Sequence, residues 1–113
     1  MDFLSIASGS SGNCSFVSSD NTSLLVDVGI SKKKIQDGLK SIDRDFNDIN
    51  GILITHEHID HTRGLGVISR NYNIPIYATY DTCEEIGNSS SLGGFDQSLL
   101  VPIEPDKSFD IGD

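Results

Sequence analysis

GILITHEHIDH, residues 51–61, runs a short apolar segment straight into a cluster that holds every histidine of the chain. Residues 51–55 have the continuous apolar character of a strand buried on both faces. The strand therefore delivers His56, His58 and His61 at its C-terminal end, interleaved with Glu57 and Asp60. Residues two apart on an extended segment point the same way, so His56 and His58 are expected on one side and Glu57 on the other. Asp60 and His61 follow where the chain turns into the next helix and can enter the same cleft from a different angle. Neutral imidazole combined with hard carboxylate suits Zn²⁺, Mn²⁺ or Fe. His56 and His58 can share one ion and Asp60 and His61 a second, and paired ions ~4 Å apart are a common hydrolytic device.

Outward from this stretch, the pattern is mixed α/β. DFLSIAS (2–8), CSFVSS (14–19) and TSLLVDVG (22–29) read as three strands of an antiparallel meander, the first two joined by the Ser/Gly turn SGSSGN (8–13). Ser31 can cap a helix whose apolar positions Ile35, Leu39, Ile42 and Phe46 recur at helical spacing. Beyond the histidines, Leu65, Ile68 and Tyr72 mark a second amphipathic helix, PIYAT (75–79) a buried strand, and YDTCEEIGN (80–88) a short helix. GNSSSLGGF reads as a loop, LLVPI (99–103) as a strand, and KSFDIGD (107–113) as a strand running into a turn. Helices laid on a sheet are the expected architecture.

The 113 residues fit one small domain. An apolar fraction of 36% with no low-complexity tract is that of a folded protein rather than a disordered one. No stretch approaches the ~18 apolar residues of a membrane span, and MDFLSIASGS lacks the basic and apolar regions of a secretory leader, so a cytoplasmic setting without membrane contact is expected. Cys14 and Cys83 have no ligand spacing and read as reduced core residues. Eight basic against 17 acidic residues give a formal charge of −9, opposite to a domain that grips nucleic acid with its own surface. Bound divalent cations would still offer local positive potential to an anionic substrate.

THEHIDH resembles the H-x-H-x-D-H signature of the metallo-β-lactamase-fold hydrolases. FLSIASGSSGNCSFV, SLLVDVG and THEHIDHTRGLG, in that order, resemble the start of the WalJ or YycJ-like branch, related to DNA exonucleases, ribonucleases and phosphodiesterases. The resemblance implies the N-terminal half of an αββα sandwich, with residues 1–113 as the first part of a single truncated domain. It implies His56 and His58 as ligands of a first divalent ion, Asp60 and His61 as ligands of a second, and Asp60 as an aid to proton transfer from the attacking water. It assigns Asp27, at the end of an early strand, to orienting the motif without binding metal. Ser10, Ser11 and Asn13 would sit beside the cleft and could meet a DNA phosphate. Catalytic ions need about three protein ligands each, so the resemblance also implies further ligands in a second half, absent from this chain. That half, or a second copy of the chain, would cover an exposed face of the sheet.

Overall fold

The computed structural model describes residues 2–88 and 97–104. The expected loop over most of 87–95 and the expected strand at 107–113 lie largely or wholly outside the described residues. Six strands form one sheet in sequential order: β1 (Asp2–Ala7), β2 (Cys14–Ser18), β3 (Ser23–Val28), β4 (Gly51–Leu53), β5 (Ile76–Thr79) and β6 (Leu100–Ile103). The first three are antiparallel, as the short turns between them require, and β3 to β6 are parallel. Each parallel crossover carries helix: α1 (Lys32–Lys40), then α2 (Ile59–Thr62) with α3 (Leu65–Tyr72), then α4 (Tyr80–Gly87). No helix among the described residues is long and apolar enough to cross a membrane.

One face of this sheet is the core. Leu4, Phe16, Leu25, Ile52, Ile76 and Leu100 stand opposite one another from strand to strand, forming a row across all six. Phe16, Leu25, Ile52 and Ile76 cluster with Ile35 and Leu39 of α1, Leu65 and Ile68 of α3, and Ile86 of α4. Truncating a side chain such as Ile52 to Ala costs about 2–5 kcal/mol in such a setting. The neighbouring row, Ser5, Ser15, Val26, Leu53, Tyr77 and Val101, lies on the opposite face. Val26, Leu53 and Tyr77 are only half-buried there, and nearby Phe3 is 69% exposed.

Helix α1 is shorter than the apolar spacing predicts. Ser31 caps it through Lys34 N–H (3.3 Å), but it ends at Lys40, leaving Ile42 in a turn and Phe46 in a separate 3-10 turn, Phe46–Asp48. Asp43 takes the left-handed conformation (φ 58), Arg44 N–H bonds Leu39 O (2.9 Å) and Asp43 N–H bonds Lys40 O (3.1 Å). That pair of bonds is the Schellman ending, which here uses Asp where Gly is usual.

Candidate metal centre

The strand ends build this site. In the β2–β3 ladder Ser15 pairs with Val26 and Cys14 with Val28, so Asp27 is one residue too many. It adopts φ 63, a left-handed conformation that Asp tolerates better than most residues. The bulge turns its carboxylate off the ladder and toward the end of β4. There Asp27, 5% exposed, accepts three bonds: Thr55 N–H to Oδ1 (2.8 Å), Thr55 Oγ1–H to Oδ2 (2.7 Å) and His61 Nδ1–H to Oδ2 (2.8 Å).

Those bonds decide how two imidazoles present themselves. The single proton of the Thr55 hydroxyl is committed to Asp27, so its oxygen accepts from His56 Nδ1–H, 3.0 Å away. With Nδ1 protonated in both rings, His56 and His61 carry their lone pairs on Nε2. Their ring centres are 4.7 Å apart, and Asp60 Oδ2 is 3.5 Å from His61 Nε2. Two imidazole nitrogens beside a carboxylate are donors of the right chemistry for a divalent transition metal, and the carboxylate-to-histidine bond behind them is the usual support of such a ligand.

The motif's other half is arranged differently. His58 precedes α2, its side chain 71% exposed and its ring centre 6.2 Å from that of His56. Glu57 does not point away from the histidines: its Oε1 is 3.7 Å from His58 Nε2. Strand β4 stops at Leu53, so the alternation expected of an extended segment no longer applies at 56–58. Among the described residues, no three His, Cys, Asp or Glu side chains close around a point where an ion could sit.

Glycines let the backbones of the site meet. A Cβ on Gly29, just past β3, would lie 1.7 Å from Asp60 O, and one on Gly64 would lie 2.6 Å from Ile30 O. Gly64 N–H bonds Val28 O (2.8 Å), which seats the turn after the motif on the end of β3. Thr62, 1% exposed, adds an Oγ1–H bond to His58 O (3.1 Å). The Ser/Gly turn approaches from the other side: Asn13 N–H bonds Asp60 O (2.8 Å), while Ser10 and Ser11 are exposed. Nothing in the sequence distinguishes Thr55 or Gly29 as partners of the motif; Asn13 is expected beside the cleft, but its bonds to Asp60 appear only in space.

Cys14 lies under this corner and stays outside its chemistry. Burial, reinforced by the negative charge of Asp27, pushes its thiol up to about 12, so it is neither a thiolate ligand nor a nucleophile near neutral pH. Cys83 is also buried and free, and burial raises it too.

Residues 7–113 match the family model described as the metallo-beta-lactamase superfamily. The chain is 44% identical over 108 residues to the exodeoxyribonuclease WalJ of Streptococcus pneumoniae serotype 2 (strain D39), a match covering 96% of this chain and 40% of that protein. It is 41% identical over 113 residues to the exodeoxyribonuclease YycJ of Bacillus anthracis, covering 96% and 41%. The chain thus spans about two fifths of the length of the curated relatives it matches. Among solved structures it is similar to a B3 metallo-beta-lactamase with an active-site glutamic acid (TM-score 0.78, 17% identity, 97% of this chain and 46% of that one). It is also similar to the Rm3 metallo-beta-lactamase (TM-score 0.76, 19% identity, 97% and 45%). At such identities the structural likeness speaks for the fold alone.

Proposed function

The chain belongs to the metallo-beta-lactamase superfamily, and on that premise we propose that the protein hydrolyses phosphodiester bonds of DNA as a metal-dependent exonuclease. The observation that carries this reading is the 41–44% identity, across 96% of the chain, to two proteins named exodeoxyribonucleases. A bridge from Asp27 to His61 behind the H-x-H-x-D-H motif independently supports the metal-dependent part of it.

In this reading His56 and His58 hold one divalent ion and Asp60 and His61 a second, with Zn²⁺, Mn²⁺ or Fe all compatible with the donors. Bound ions supply Lewis-acid activation of water and of the phosphoryl oxygen. Asp27 and Thr55 keep the Nε2 lone pairs of His61 and His56 directed outward, and Asp60 takes up the proton released as water attacks. Residues 1–113 act as the N-terminal portion of one domain, whose remaining ligands come from sequence outside them. That outside sequence, or a second copy of the chain, covers the row containing Val26, Leu53 and Tyr77. A cytoplasmic location accords with reduced, buried cysteines.

The test is stepwise shortening of end-labelled duplex DNA by the full-length gene product, stripped and reloaded with Mn²⁺ or Zn²⁺. Turnover should vanish with chelator and with His56→Ala. Intact DNA in the presence of fully loaded protein, or faster hydrolysis of a lactone, thioester or β-lactam, would overturn the reading.

A further inference from the structure

The Ser/Gly turn closes onto Asp60 through one side chain. Asn13 Oδ1 accepts from Gly9 N–H (3.2 Å), and Nδ2 donates to Gly9 O (3.0 Å), Asp60 O (3.3 Å) and Asp60 Oδ2 (3.5 Å). A primary amide has two N–H hydrogens and one oxygen. One hydrogen goes to Gly9 and the other is shared by the two Asp60 oxygens, so little is left for a substrate phosphate. The amide cannot be turned over either, because that would set Oδ1 against three oxygen acceptors. The main chain repeats the clasp: Asn13 N–H donates to Asp60 O (2.8 Å), and Gly29 N–H donates to Asn13 O (2.8 Å). Gly29 leaves the Asp60 carbonyl its place, since a Cβ there would overlap it.

We infer that Asn13 is a positioning residue for the Asp60 carboxylate, and that loop 8–13 braces the metal motif instead of gripping substrate. The inference rests on the proposed role of Asp60 as a metal-holding carboxylate. Asn13→Asp tests the brace. It preserves size and the acceptor for Gly9 N–H, but replaces the donor shared by Gly9 O and Asp60 with an oxygen.

In the full-length protein, calorimetric titration of the metal-free form with Zn²⁺ or Mn²⁺ should show the second equivalent bound about 10–100-fold more weakly, the range seen when a ligand's support is lost. On DNA, kcat should fall while KM stays unchanged. Asn13→Ala should give the same pattern, and so should Gly29→Ala, whose Cβ would displace the Asp60 carbonyl. Native thermal melting in any one of the three suffices for the comparison. Wild-type metal affinity combined with a raised KM would make Asn13 a substrate contact and overturn the brace. Asp60→Asn, titrated alongside, separates the two readings. If it loses the second equivalent while Asn13→Asp and Gly29→Ala keep it, the brace alone falls; if it keeps both equivalents, the proposed metal role of Asp60 falls as well.

Discussion

His61 and His58 stand three residues apart in one motif and in opposite circumstances. The His61 side chain is 17% exposed and bonded to a buried carboxylate, whereas that of His58 is 71% exposed, with the Glu57 carboxylate 3.7 Å away. The difference follows from what lies beneath each. The bulge at the end of β3 reaches under His61 and, through Thr55, under His56. It does not extend to His58, which leaves the sheet before α2 begins. One side of the motif is thus built by the sheet, while the other stands clear of it.

The contrast is broken most directly at Asp27. Removing its carboxylate leaves the Thr55 N–H, the Thr55 hydroxyl and His61 Nδ1–H without their acceptor; a lost partner costs about 1–3 kcal/mol where the group is buried, as at His61, and less at the exposed Thr55. Asp27→Ala should therefore lose about 2–3 kcal/mol in chemical denaturation of the metal-free protein. His58→Ala should stay within about 0.5 kcal/mol, as surface substitutions do, and should lower metal content instead. Equal destabilisation by the two variants would mean that the two sides are not built differently.

A second test uses Cys14, whose thiol is raised by burial first and by Asp27 second. The unfolded thiol releases its proton near 9 and the folded one near 12. Between those values the native state binds more protons than the unfolded state, so this group's contribution to stability is complete below pH 9 and declines as pH rises toward 12. The slope approaches about 1.4 kcal/mol per pH unit. Denaturation measured from pH 8 to 11 should show the decline, and Cys14→Ala should flatten it relative to wild type. A parallel decline in both proteins would assign the effect to other groups.

Much of this arrangement is legible in the sequence because it rests on periodicity. Alternation marks β2 and β3, the apolar run marks β4, and spacing brings out Leu65, Ile68 and Tyr72, each matching an observed element. The histidines announce themselves by clustering. What stays illegible depends on a single backbone angle or on one close approach. SLLVDV reads as an unbroken strand, and nothing in it reveals that Asp27 is left-handed and outside the ladder. Asp43 likewise ends α1 without a glycine, so the apolar spacing through Ile42 and Phe46 runs past the true helix end. Gly29 acquires meaning only when Asp60, about 30 positions later, arrives against it, and Asn13, expected beside the cleft as a substrate contact, proves to be bonded to that same Asp60.

Within the supported side, Thr55 carries the hold of Asp27 on to His56. Thr55→Val keeps the branched shape and removes the hydroxyl, so His56 loses the acceptor for Nδ1–H while His61 keeps its bond to Asp27. The expected cost is about 1 kcal/mol, the usual size for one hydrogen bond. Nitrogen NMR of the metal-free protein at a pH where imidazole is neutral should show His56 passing to a mixture of tautomers while His61 stays protonated on Nδ1. Thr55→Ser should restore the wild-type spectrum. An unchanged His56 in Thr55→Val would show that its orientation comes from elsewhere.

The smallest effect belongs to the exposed side. Glu57 and His58 approach to 3.7 Å with side chains 41% and 71% exposed, and solvent screening at such exposure leaves a pair contributing little or nothing. Glu57→Gln removes the charge and preserves the shape. If His58 is fixed only by what the site binds, this variant should match wild type in denaturation and in metal affinity at ordinary ionic strength. A several-fold loss of metal affinity would place Glu57 among the supports of His58. The exposed side would then have a brace of its own, and its difference from the Asp27 side would be one of degree.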